Sequence, residues 1–240
     1  MESLPPEVLG AIFALACTDG GFTGCSLALV STRVRDVVRS NRFHSVQLNV
    51  ATDRDRLQAF LACFKAEMER TSQSQPRVRH LFLTSGRRSE GFHGSFGAQP
   101  STIERERAEE QAFRAQVLEL FALIAKDLYT LTCARIAGHW WYRLSLPCEI
   151  GTIEFPLLRE LTCDVDVSLC PPLPRLRRVR VAGDVSSQNL LAWATRAPGL
   201  THVWLDCIPS GPRGIEVVET ARTITTAGHG SGAKNTPALT

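Results

Sequence analysis

Along the first third of the chain, apolar residues recur at helical intervals. Val8, Leu9, Ile12, Phe13 and Ala16 fall on one helical face. Pro5 and Pro6 precede them, where a helix start tolerates a missing N–H. The glycines of residues 18–24 predict a loop. A second helical stretch starts near Ser26 and carries Leu27, Leu29, Val30, Val34, Val37 and Val38. It breaks at Ser31-Thr32, because both residues cap helices well. The pattern therefore predicts three short helices. Over residues 53–70, Leu57, Phe60, Leu61, Phe64 and Met68 keep the i, i+3, i+4, i+7 spacing of an amphipathic helix. Residues 84–100, rich in Gly, Ser and Arg, predict a flexible loop. Ser101-Thr102-Ile103-Glu104 matches a capping box and opens a long helix to about Lys126. Its buried stripe is Phe113, Val117, Leu120, Phe121, Ile124 and Leu128.

A different, strand-like pattern recurs between and after these helices. The hexad apolar-x-x-apolar-x-apolar begins at Phe43, Val78, Leu128, Leu158, Leu176 and Leu200, with successive starts 35, 50, 30, 18 and 24 residues apart. It resembles the strand segment of leucine-rich repeats, whose period is roughly 20–29 residues. The resemblance implies a curved sheet backed by helices, with apolar positions in the core and intervening side chains on the inner curve. The sites where that motif carries Asn or Cys read Gly86, Ile136, Asp166, Asp184 and Ile208, so the expected form is irregular. A generic α/β sheet is the other reading. From residue 209 the pattern fails: Ile215 to Ile224 could form a weak strand or helix, and residues 209–240 as a whole are expected to be a mostly disordered tail. That would leave the array without a polar cap, as in a truncated or degenerate copy, and predicts poor solubility.

Composition narrows the function classes. The chain has 240 residues, 44% hydrophobic and 21% charged, as expected of a globular protein. A net charge of +3 is too small to announce a nucleic-acid or membrane partner. No apolar run reaches the roughly 20 residues of a bilayer span, and no secretory signal is visible. The eight cysteines, Cys17, Cys25, Cys63, Cys133, Cys148, Cys163, Cys170 and Cys207, are scattered without CxxC pairing, so they read as reduced thiols in a cytoplasmic or nuclear protein. No metal site and no cofactor are expected. The run Gly138-His139-Trp140-Trp141-Tyr142 reads as a core aromatic cluster, with a ligand pocket as the alternative.

The opening residues Leu4-Pro5-x-Glu7-Val8-Leu9-x-x-Ile12-Phe13, then Leu27-Ala28-Leu29-Val30-Ser31-x-Arg33-x-Arg35, then Phe43-x-x-Val46, resemble an F-box. The loop form at residues 17–27 is similar to that of F-box-like proteins of mushroom-forming fungi. Departures are a loop a few residues longer, Val34 in place of a third-helix aromatic, and Phe43 in place of a closing Trp. The resemblance implies an α+β or α/β repeat architecture. It comprises an N-terminal three-helix F-box over residues 1–48, a degenerate leucine-rich-repeat-like domain over 49–208, and the tail over 209–240. It implies a non-enzymatic, substrate-recruiting adaptor. The helices would bind a Skp-type adaptor, and through it a cullin ubiquitin ligase. Leu4, Pro5, Val8, Leu9, Ile12, Phe13, Leu27, Val30 and Ser31 would lie at or beside that interface.

The repeat face would hold an unknown protein substrate through His80, Phe82, Glu160, Asp164, Arg178, Arg180, His202 and Trp204. Phe82 and Trp204 are the expected anchors. Glu160 and Asp164 beside Arg178 and Arg180 read equally as a cross-strand ion network. The alternatives are an N-terminal helical cap with Ile12 and Phe13 buried internally, a repeat scaffold with no ligase role, and an enzyme whose site carries no motif.

Overall fold

Pro6 opens the first helix, α1 (Pro6–Ala16), which ends where the Cys17 N–H bonds the Phe13 carbonyl at 2.8 Å. In this computed structural model the described residues are 4–39, 41–49, 54–70, 75–85, 100–135, 152–163, 171–182 and 185–230. Gly20 (φ 78°) and Gly21 (φ 102°) then turn the chain through left-handed backbone that disfavours side chains. Helix α2 (Phe22–Leu27) follows directly, so residues 22–24, expected in the loop, are helical. Gly24 misled that expectation. A Cβ there would stand 2.8 Å from the Arg42 Cα, so the glycine serves close approach rather than a turn. Ser31 caps α3 (Thr32–Val38) by accepting the Val34 N–H at 3.2 Å. The three helices enclose Leu9, Phe13, Cys17, Val34 and Val38.

Strand β1 (Ser45–Asn49) pairs in parallel with β2 (His80–Ser85), matching Val46 to Leu81 and Leu48 to Leu83. Thr84 and Ser85 are thus strand rather than loop. The rest of the expected loop up to residue 99 lies outside the described residues. Helix α4 (Arg54–Arg70) buries Leu57, Leu61 and Phe64, and the Phe43 and Phe64 rings meet edge to face at 5.2 Å. Helix α5 (Pro100–Ile124) buries Val117, Leu120, Phe121 and Ile124, and Lys65 of α4 pairs with its Glu119. Because α5 begins at Pro100, Ser101 sits inside its first turn and is not the cap residue. By compactness, residues 1–124 with 135–147 form one unit. The boundary expected at residue 48 does not appear, because β1 carries the helical module straight into its pairing with β2.

The second unit holds residues 125–134 and 148–240. A 3-10 turn (Ala125–Asp127) leads to β3 (Thr130–Arg135), β4 (Glu160–Cys163), β5 (Arg178–Val181), α6 (Ser187–Arg196), β6 (His202–Leu205) and α7 (Pro212–Gly230). Strands β3 to β6 pair in parallel in sequence order, and the register runs Leu131, Leu161, Val179, Val203. The fourth position of the hexad is therefore aligned across four strands. The chain is α/β, with six strands in parallel pairs and seven α-helices among the described residues. No described helix is long and apolar enough to cross a membrane.

Residues 212–230 form a helix, which replaces the mostly disordered tail expected there and is one of the two forms open for Ile215 to Ile224. Helix α7 buries Val217 and Ile224, seven residues apart on one face. Its threonines hid it, since β-branched residues favour strands. Here the hydroxyls of Thr220, Thr223 and Thr226 donate to the carbonyls of Glu216, Glu219 and Arg222, four residues back in each case.

Candidate functional site

Two surfaces carry the residues singled out by the sequence, one in each unit. The first is on the helical module. The F-box-like positions divide into two sets there. Leu9 and Phe13 are 2% and 3% exposed and lie in the module's own core, so they cannot be first contacts of a partner. Four residues advance a helix by more than a full turn, and the apolar run Val8, Leu9, Ile12, Phe13 is two stripes rather than one. Leu9 and Phe13 point inward, whereas Val8, Ile12 and Leu15 are exposed at i, i+4, i+7 spacing. Leu29, Val30 and Phe22 are exposed too, with Leu15 and Leu29 about four-fifths accessible.

Several motif residues hold the module together. The Leu4 carbonyl accepts from Arg33 Nη2 at 2.6 Å, tying the start of the chain to α3. Arg35 Nε donates to the Ala28 carbonyl at 2.8 Å. Leu4 and Leu27 pack against the core cluster, Pro5 is exposed at the helix start, and Ser31 acts as a cap. Asp19 accepts the Thr23 hydroxyl at 2.6 Å and its N–H at 2.9 Å, bonds that hold its carboxyl below the usual carboxylate range. Burial pushes the Cys17 thiol up, which keeps it protonated.

The module is anchored through contacts that the sequence reading did not foresee. Glu67 of α4 is 3% exposed and receives Arg39 Nε and Arg42 Nη2, each at 2.6 Å. Arg42 also lies over the Phe43 ring at 4.5 Å. The signal was present, because Glu67 follows Phe60 and Phe64 by seven and three residues and so sits on the apolar stripe. A second anchor is the loop before α2. The Gly20 carbonyl accepts the Gln47 N–H at 3.1 Å, covering the outer edge of β1. Ser45 Oγ donates to the Thr18 carbonyl at 3.3 Å.

No family model, curated protein or solved structure matches the chain.

The second surface is the polar face of β4 to β6. Register places Glu160, Arg178 and His202 in one row, and Thr162, Arg180 and Trp204 in the next. Arg178 Nη1 donates to Glu160 Oε1 at 2.7 Å, and Arg180 Nε to Asp206 Oδ1 at 2.8 Å. These are two separate ion pairs, with Asp206 as the partner of Arg180; Asp164 lies outside the described residues. Both pairs are about half exposed, so each contributes roughly 0.2–1 kcal/mol. They leave the face near neutral. The His202 ring stacks on Trp204, centroids 5.6 Å apart, and Thr201 Oγ1 meets His202 Nδ1 at 2.9 Å. An open hollow of about 500 Å³ is lined by Glu160, Thr162, Arg178, Arg180, Trp204 and Asp206.

His80 and Phe82 belong to the first unit, on β2. Phe82 is 37% exposed, while the His80 ring lies 5.1 Å from His44. Burial pushes the His44 pKa down, and the nearby charges of His80 and Arg79 push the same way. The aromatic run at 138–142 lies outside the described residues. Among the described residues, no three His, Cys, Asp or Glu side chains come together as a metal site would require.

Proposed function

We propose that this chain is an F-box-like adaptor that docks on a Skp-type subunit through its helical module and presents a protein substrate on its strand-bearing region. The observation that carries this reading is the exposed stripe Val8, Ile12 and Leu15, with Leu29 and Val30, on a module whose other face is already filled by its own core. Single exposed apolar residues are ordinary, but a helical stripe of them is the mark of an interaction surface. Burying it would remove apolar area from water at about 25 cal/mol per Å². The polar face with Trp204 and the two arginine–carboxylate pairs offers the substrate surface. Function then rests on proximity, since holding a substrate beside a separate ligase core raises its effective concentration at the transfer site. A cytoplasmic or nuclear location goes with this role.

A second reading has its own observation. The Gly20–Gln47 bond makes the helical module a cover for the edge of β1, the role of an N-terminal cap on an interaction scaffold. Exposure of Ile12 speaks against the module being a cap alone.

The test is co-purification of the full chain with a Skp-type adaptor. An Ile12→Asp, Leu29→Asp double variant is the control, because both residues are exposed and the fold should survive. Expected is a stable complex for the wild type and its loss in the variant, with unchanged circular dichroism. A folded wild type that forms no complex would leave the scaffold as the better description.

A further inference from the structure

The edge of β6 differs from every other strand in the hexad series. The residues at its apolar positions, Val203 and Leu205, are half-buried, whereas their counterparts in the neighbouring strand, Val179 and Val181, are 0% and 6% exposed. The His202 and Asp206 N–H groups point back to β5, bonding the Arg177 and Val181 carbonyls at 3.0 and 3.1 Å. Backbone groups alternate along a strand, so those of Val203 and Leu205 face the opposite, outer edge. After β6 in the chain, Ile208 is 54% exposed, and Ile215 and Val218 of α7 are 64% and 46% exposed. Gly214, at the start of α7, stands with its Cβ position 3.3 Å from Ile208 Cγ2, so Ile208 lies against the start of that helix.

We infer that this edge pairs with the same edge of a second copy of the chain, β6 antiparallel to β6, around a two-fold axis at Trp204. The sequence His202-Val203-Trp204-Leu205-Asp206 is complementary to itself when reversed. In that register Val203 stands opposite Leu205 of the second copy. Both are residues whose N–H and C=O face outward, so the two pairs exchange four backbone hydrogen bonds. Trp204 meets Trp204 across the axis at the close, non-hydrogen-bonded spacing, where aromatic pairs contribute most. His202 stands opposite Asp206, a favourable pairing, while every other antiparallel register leaves one of these matches unmade. An isologous contact of this kind closes on itself and uses up the exposed edge, so it stops at the dimer.

The test is sedimentation equilibrium of the full chain at 1 to 50 µM, chosen as about the range in which modest interfaces assemble. Expected is a monomer–dimer equilibrium that Trp204→Lys shifts at least tenfold towards monomer, since it sets two like charges face to face. Val203→Pro removes an outward donor without touching the β5 ladder and should shift it as far. Both variants should keep the wild-type circular dichroism spectrum, and if one fails to fold the other decides. A wild type that stays monomeric throughout would overturn the inference and leave the edge to a strand of another protein. Equal dimerisation of wild type and both variants would overturn it too.

Discussion

The first and last strands of this chain, β1 and β6, carry the same apolar hexad and end in different surroundings. Along β1 the outward Gln47 N–H is taken by the Gly20 carbonyl, and Val46 and Leu48 are buried. Along β6 the outward groups belong to Val203 and Leu205, both half-buried, with exposed Ile208 close by. An unpaired strand edge is a template for another strand, so proteins cover it or use it. The N-terminal module does the covering of β1 while its own apolar stripe stays exposed. A helical module can thus cover a strand edge and still leave an apolar stripe exposed.

The largest effect on this contrast should come from Glu67→Ala. It removes two charge-assisted hydrogen bonds from Arg39 and Arg42, which are 41% and 24% exposed, and should destabilise the first unit by about 2–3 kcal/mol. Chemical denaturation would read it as a lower midpoint. Val217→Ala should lower stability by about 2 kcal/mol by removing buried methyl groups from α7. The exposed Ile215→Ala should change it by under about 0.5 kcal/mol. Equal effects would mean that α7 does not pack as described. Gly20→Ala combines a left-handed backbone with a Cβ 2.7 Å from that of Gln47. Its expected penalty is about 1–2 kcal/mol, and uncovering β1 should raise the concentration-dependent light scattering that β6 alone would otherwise set.

The smallest effect is a pH dependence. The folded pKa of His44 is lowered, so the folded state holds its neutral form while the unfolded state protonates near pH 6.5. Above that pH neither state is charged and the residue contributes no slope. Below it the unfolded state binds the extra proton, and stability falls as pH falls. His44→Gln should flatten the melting temperature between about pH 6.5 and 5. An unchanged slope would remove His44 as its origin.

Much of this architecture was legible in the sequence. The spacing of Leu57 to Met68 placed α4 within one residue of Arg54–Arg70, and each hexad ends in a strand. Local periodicity carries that information because burial on one face forces it. What failed was whatever depends on a distant neighbour. Gly24 reads as a loop residue until Arg42 is seen against it, and Glu67, though spaced on the apolar stripe, shows no partner until two arginines converge on it. Residues 187–196 drew no helix assignment, although Ser186 caps α6 and Leu190 and Trp193 are buried in it. The candidate docking face was half legible. Two apolar stripes share α1, and nothing local says that Leu9 and Phe13, rather than Val8 and Ile12, turn inward.

The most direct measurement is titration calorimetry of a Skp-type adaptor into the full chain, comparing wild type, Ile12→Asp and Trp204→Lys. The account predicts binding that Ile12→Asp weakens about 100-fold, the loss of roughly 2.7 kcal/mol typical of a buried anchor. Trp204→Lys, on β6 of the second unit, should leave it unchanged. Absence of binding by folded wild-type chain, or equal binding by the Ile12→Asp variant, would contradict it.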